Sequence, residues 1–147
     1  MLLRFRFVPL ALFGLLSAGC QSAGGGKAVT AADLAGHWNV AAIVSRGGEE
    51  TGVPAMSEAF IDFELADGTA GGTASGKGGV NRFTTTWEIR ATMLVMKPAA
   101  ATKMAGPPDA MKFESDLLQL LSEPLHPRPR GGGMLLSGPE GAVKLTR

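Results

Sequence analysis

The chain has 147 residues, 45% hydrophobic and 18% charged, with 14 basic and 13 acidic side chains, one cysteine, two tryptophans and no tyrosine. That length serves one domain rather than two, and a net charge near zero gives no reason to expect a nucleic-acid partner. A lone cysteine excludes an intramolecular disulfide, while 21 glycines and 9 prolines cut the chain into short elements and argue against an all-helical bundle.

In chain order, Arg4 and Arg6 precede the apolar run Phe7 to Leu16, and the small residues Ser17, Ala18 and Gly19 lead to Cys20, the layout of an export signal. The run is too short to cross a hydrocarbon core of ~30 Å as a helix. Gln21 to Thr30 is small and glycine-rich, a flexible tether of about 17 Å. The partition is a signal over 1–19, a tether over 20–32 and one domain over 33–147.

Alternation dominates the domain. Trp38, Val40, Ala42 and Val44 share one face of a first strand, and Ile61, Phe63 and Leu65 do so in a second, with Asp62 and Glu64 opposite. Asp67-Gly68 predicts a two-residue type I′ hairpin into a strand over Thr69–Ser75. Phe83, Thr85, Trp87 and Ile89 alternate with Arg82, Thr84, Thr86, Glu88 and Arg90. Met93 to Lys97 is a further strand, and Pro127 and Pro129 confine Leu125 to Arg130 to an edge. Gly138-Pro139-Glu140-Gly141 joins Met134–Ser137 to Ala142–Thr146. One helix is expected: Pro107 and Pro108 open it, Asp109 complements its positive end, and Phe113, Leu117, Leu120 and Leu121 recur at helical spacing until Pro124. The fold class is mainly β (α+β), a curved antiparallel sheet or small barrel with one packed helix.

Few segments carry chemistry. Gly71 to Gly78 has the glycines and lysine of a phosphate-binding loop, but Gly78 lacks the hydroxyl that Mg²⁺ requires, and a strand rather than a helix follows. A glycine-rich hairpin explains it. His37 and His126 stand far apart without ligand-spaced partners, so no metal or cofactor is predicted. No G-x-S-x-G elbow presents a serine, and Glu49-Glu50 reads as a solvated loop.

Leu16-Ser17-Ala18-Gly19-Cys20 resembles the lipobox of bacterial lipoproteins, apart from Ser17, where aliphatic residues are commoner. The resemblance implies cleavage before Cys20, acylation of its thiol and membrane attachment by two or three chains, each methylene contributing ~0.8 kcal/mol. Gln21 in place of aspartate implies the periplasmic face of the outer membrane.

Leu34-Ala35-Gly36-His37-Trp38 resembles the L-x-G-x-W opening of the META domain family, which includes the HslJ-like heat-inducible lipoproteins. Gly76-Lys77-Gly78-Gly79-Val80-Asn81-Arg82-Phe83 is similar to its G-x-x-G-C-N-R-F segment. Ala101 to Gly106 is similar to S-T-[RK]-M-A-C, with Met111, Glu114 and Leu121 at the places of its helix. Val80 and Gly106 stand where many members carry cysteine. The resemblance implies a lipocalin-like curved sheet with a packed helix, no catalytic centre, and a link to envelope stress. Asn81 is expected to bond loop backbone or accept a positive φ. The functional alternative has Asn81, Arg82, Thr102 and Lys103 converge on a rim that binds a ligand or envelope partner. Two further readings are a hydrolase built on His37, Asp62 or Glu64, and an inhibitor of an envelope hydrolase presenting Arg128 and Arg130.

Overall fold

The computed structural model describes residues 27–147; the expected export signal, Cys20 and the first residues of the expected tether lie outside the described residues. The chain enters through a four-residue helix, α1 (Ala31–Leu34), which the sequence pattern does not announce. A reciprocal cap stands in for length: the Thr30 side chain accepts from Asp33 N, and Asp33 accepts from Thr30 N at 2.8 Å. Val29, Ala31 and Leu34 are buried in the core, so packing begins ahead of Asp33.

Ten strands follow, all antiparallel among the described residues: β1 (Gly36–Ser45), β2 (Glu50–Gly52), β3 (Glu58–Leu65), β4 (Gly71–Gly79), β5 (Arg82–Arg90), β6 (Met93–Met96), β7 (Ala100–Ala101), β8 (His126–Arg130), β9 (Gly133–Ser137) and β10 (Gly141–Thr146). Between β7 and β8 lies the 14-residue helix α2 (Pro108–Leu121). Strand order is β6-β5-β4-β3-β1-β10-β9-β8, with β2 beside β1 and β7 beside β5. The two ends of this sheet meet where Leu94 N donates to Leu125 O at 2.7 Å and Leu125 N donates back to Leu94 O at 2.9 Å. The sheet is thereby a nearly closed barrel. It stops short of full closure for a local reason: Pro127 and Pro129 alternate along β8, so both absent N–H groups face the seam rather than β9.

Alternation places the core. Trp38, Val40, Ile61, Phe63, Phe83, Trp87, Leu136, Val143 and Leu145 point inward and are buried. Phe63 and Trp87 meet edge to face, 5.1 Å between centroids. α2 lays Phe113, Leu117, Leu120 and Leu121 against this interior, each contributing about 1.5–3 kcal/mol.

Three local expectations are corrected. β1 keeps its period only to Ala42, because its register with β10 slips between Val40 and Ala42; Ile43 then turns inward and Val44 is half-buried. Leu65, at the end of β3, is exposed. The Asp67-Gly68 hairpin closes through a longer loop than a type I′ turn: Thr69 N donates to Ala66 O at 3.2 Å, Ala66 N donates to Gly71 O at 3.0 Å, and only Gly68 has a positive φ, 69°. Among the described residues no helix is long and apolar enough to cross a membrane.

Candidate functional site

The glycine-rich run that resembles a phosphate loop is strand β4, and its glycines answer to packing. A Cβ at Gly76 would lie 2.1 Å from Phe60 O, and one at Gly78 would lie 2.8 Å from Glu114 Cγ on α2. Gly79, at φ 132°, passes 3.1 Å (from its would-be Cβ) beneath the Ala110 carbonyl. This close approach seats the first turns of α2 on the β4–β5 connection.

The seat is completed by polar contacts. Glu114, buried on the inner face of α2, accepts from Val80 N at 3.0 Å and Asn81 N at 2.5 Å through Oε2, and from Asn81 Nδ2 at 2.8 Å through Oε1. Asn81 Oδ1 accepts from Thr102 Oγ1 at 2.8 Å and Met104 N at 2.7 Å, and Nδ2 also donates to Met104 O at 3.1 Å. Thr102 Oγ1 in turn accepts from Arg82 N at 3.2 Å. Three separate stretches, 78–82, 102–104 and 114, are thus clasped together. Val80 packs on Gly106 inside the same clasp.

Of the four residues proposed to form a ligand rim, Asn81 and Thr102 are bonded to each other, with Asn81 buried and its side chain spent on protein partners. Arg82 lies beside them through its backbone, and the side chains of Arg82 and Lys103 are left to solvent. The positive φ of this turn falls on Gly79, not on Asn81.

His37 and Asp62 do meet: Nδ1 lies 2.6 Å from Oδ1 on the outer face of β1 and β3, with Phe60 beneath the imidazole at 5.3 Å. The Asp62 hydrogen bond raises the His37 pKa above 6.5. Ser75 stands opposite Asp62 rather than His37, so the imidazole does not bridge a hydroxyl and a carboxylate as a serine relay requires. Arg128 and Arg130 are exposed along β8. Among the described residues no three His, Cys, Asp or Glu side chains gather as a metal site.

The sequence reading missed a cleft of about 480 Å³ between α2 and the connection from β1 to β2. Its walls come from segments as distant as Ile43, Asp109 and Glu140, so no contiguous motif marks it. The only sequence signal is the acidic character of Glu49, Asp109, Asp116 and Glu140, each of which alone reads as a solvated surface group.

A nearly closed antiparallel barrel with a helix clasped to its glycine-rich strand defines the class of protein. The chain belongs to the META domain family, whose profile matches residues 32–147. Two solved structures share the fold. One is the NMR structure of a protein from Burkholderia xenovorans, at 20% identity and a TM-score of 0.62, covering 76% of this chain and 81% of that one. The other is also an NMR structure, at 19% identity and a TM-score of 0.57, covering 80% and 94%. No curated protein gives a significant match.

Proposed function

We propose that this META domain protein is a lipid-anchored component of the cell envelope, held through Cys20 at the periplasmic face of the outer membrane, that supports tolerance of envelope stress by binding rather than by catalysis. The observation that carries the reading is the position of Cys20: the single thiol of an apolar-led N-terminal segment follows directly on Ser17-Ala18-Gly19 and precedes a glycine-rich tether. Supporting it, the side chains of Asn81, Thr102 and Glu114 are spent on one another and on backbone in the clasp, while those of Arg82 and Lys103 are left to solvent as contact groups. Arg128 and Arg130, exposed on β8, favour a second reading in which the partner is an envelope hydrolase that the protein inhibits.

Metabolic labelling with a palmitate analogue, followed by membrane fractionation of wild type and Cys20→Ser, tests the anchor. Wild type should sediment with the outer membrane and carry the label, and Cys20→Ser should do neither. A soluble processed chain with an unmodified thiol overturns the reading. Cross-linking and pull-down from solubilised membranes identify the partner, and a captured hydrolase whose activity falls on adding the protein selects the second reading.

A further inference from the structure

The cleft beside α2 has no part in the clasp. Its floor is apolar, formed by Ile43, Phe113 and Leu120 where the core reaches the surface. Its rim is anionic: Glu49 stands on the β1–β2 connection, Asp109 and Asp116 on α2, and Glu140 on the β9–β10 turn. Lys112 is the one cation in the lining. Its ammonium lies 2.6 Å from Asp116 Oδ2, and Asp116, with Glu49 across the cleft, holds its pKa above the usual lysine value. Arg46 reaches Glu140 from outside at 3.8 Å. Glu49 and Asp109 have no ion-pair partner among the described residues.

Size, floor and charge together restrict the occupant. The volume falls within the range of small-molecule sites, in which an apolar lining supplies affinity and a few polar groups fix orientation. An anionic ligand would add to an already unbalanced negative rim, and a polar one would leave the floor uncovered. We propose that this cleft binds a small amphiphilic cation, an ammonium or guanidinium group on an aliphatic or aromatic body. The body lies on Ile43, Phe113 and Leu120, and the cation enters the acidic rim where Lys112 now places its own ammonium. The site does not depend on the lipid anchor.

The full-length chain carrying Cys20→Ser, titrated by calorimetry with N-octyl-1,3-diaminopropane below its micellar range, tests the site independently of acylation. Saturable one-to-one binding is expected, with amide shifts at Phe113 and Leu120 in ¹H–¹⁵N spectra. Asp109→Asn with Asp116→Asn should weaken Kd roughly tenfold, as expected for losing charge partners of the cation. Lys112→Ala, which removes the internal competitor, should tighten it. Asp67→Asn, in the β3–β4 loop, should leave it unchanged, and octyl sulfate, of equal tail and opposite charge, should not bind. Where the doubly neutralised chain fails to melt cooperatively, Glu49→Gln on the exposed loop carries the same test. Absence of binding, equal binding of octyl sulfate, or an affinity indifferent to the carboxylates overturns the proposal.

Discussion

Three N–H groups and no acceptor converge on the side chain of Glu114, which is the donor set that an acceptor-only carboxylate satisfies and an amide does not. Glu114→Ala strands all three donors in a buried setting and should cost about 3 kcal/mol in urea unfolding. Glu114→Gln keeps one acceptor oxygen and should cost less. A smaller loss for the alanine would show that the clasp is incidental to stability. Beside it, a Cβ placed on Gly106 would lie 3.3 Å from Val80 Cβ, a few tenths of an ångström short of the about 3.5–4.5 Å of disulfide-bonded pairs and within reach of a small backbone adjustment. Val80→Cys with Gly106→Cys should therefore oxidise spontaneously and raise stability by about 3 kcal/mol, relative to the reduced form, by closing the intervening loop. In a Cys20→Ser background, two free thiols by mass spectrometry after air oxidation would refute that geometry. The single change Gly106→Ala brings a methyl within 2.5 Å of Val80 Cγ2, so valine must move to admit it.

At the scale of elements, the seam is the barrel's thinnest join, a single pair of hydrogen bonds between β6 and the residue leading into β8. Leu125 serves it twice, through its backbone bonds to Leu94 and through a fully buried side chain. Leu125→Ala should cost about 2–5 kcal/mol, and the Leu94 amide should lose its exchange protection before amides of β3 and β4. If Leu94 instead exchanges with the global core, the barrel opens elsewhere. Much of this layer was legible in the sequence. Period-two alternation located β3 and β5, the turn at 138–141 located the β9–β10 hairpin, and the prolines put β8 at a margin. The bulge near Ala41 was not legible, because it is a slip of register against β10, and register belongs to two strands at once. Nor was α1, whose four residues are too few to show a helical period and are held by their cap and by burial. The clasp was half legible. The resemblance drew attention to the segments around Asn81 and Thr102, but Glu114 looks like any polar residue of an amphipathic helix until the fold sets it over Gly78. The cleft was legible only as scattered acidic residues that singly read as solvated surface, since its floor and rim come from three distant stretches.

For the whole molecule, the decisive feature is that the first long strand pairs with the last. β1 meets β10 from Asn39↔Thr146 to Ser45↔Gly141, and Arg147 lies 4.5 Å over the Trp38 ring. β10 also carries β9, so it supplies two of the ladders of the barrel wall, and Val143 and Leu145 bury fully inside it. Ordering this wall requires contacts between chain ends before the remaining strands gain their inner face, which is the topology that slows folding into the millisecond-to-second range. Two consequences follow from that one pairing. A chain ending at Ser137 should lack a cooperative urea transition and near-ultraviolet tryptophan dichroism, because Trp38 loses the strand beside its own. Val143→Ala, a fully buried position in the full chain, should destabilise by about 1–3 kcal/mol. If β10 joins the barrel before the rate-limiting step, stopped-flow refolding should slow in proportion to the stability lost; if it docks afterwards, unfolding alone should accelerate. The pairing predicts the first pattern, since without β10 neither β1 nor β9 has a neighbour on the side that closes the wall. A normal refolding rate in Val143→Ala would show that the remaining strands can assemble as an open sheet and receive the last strand as a lid.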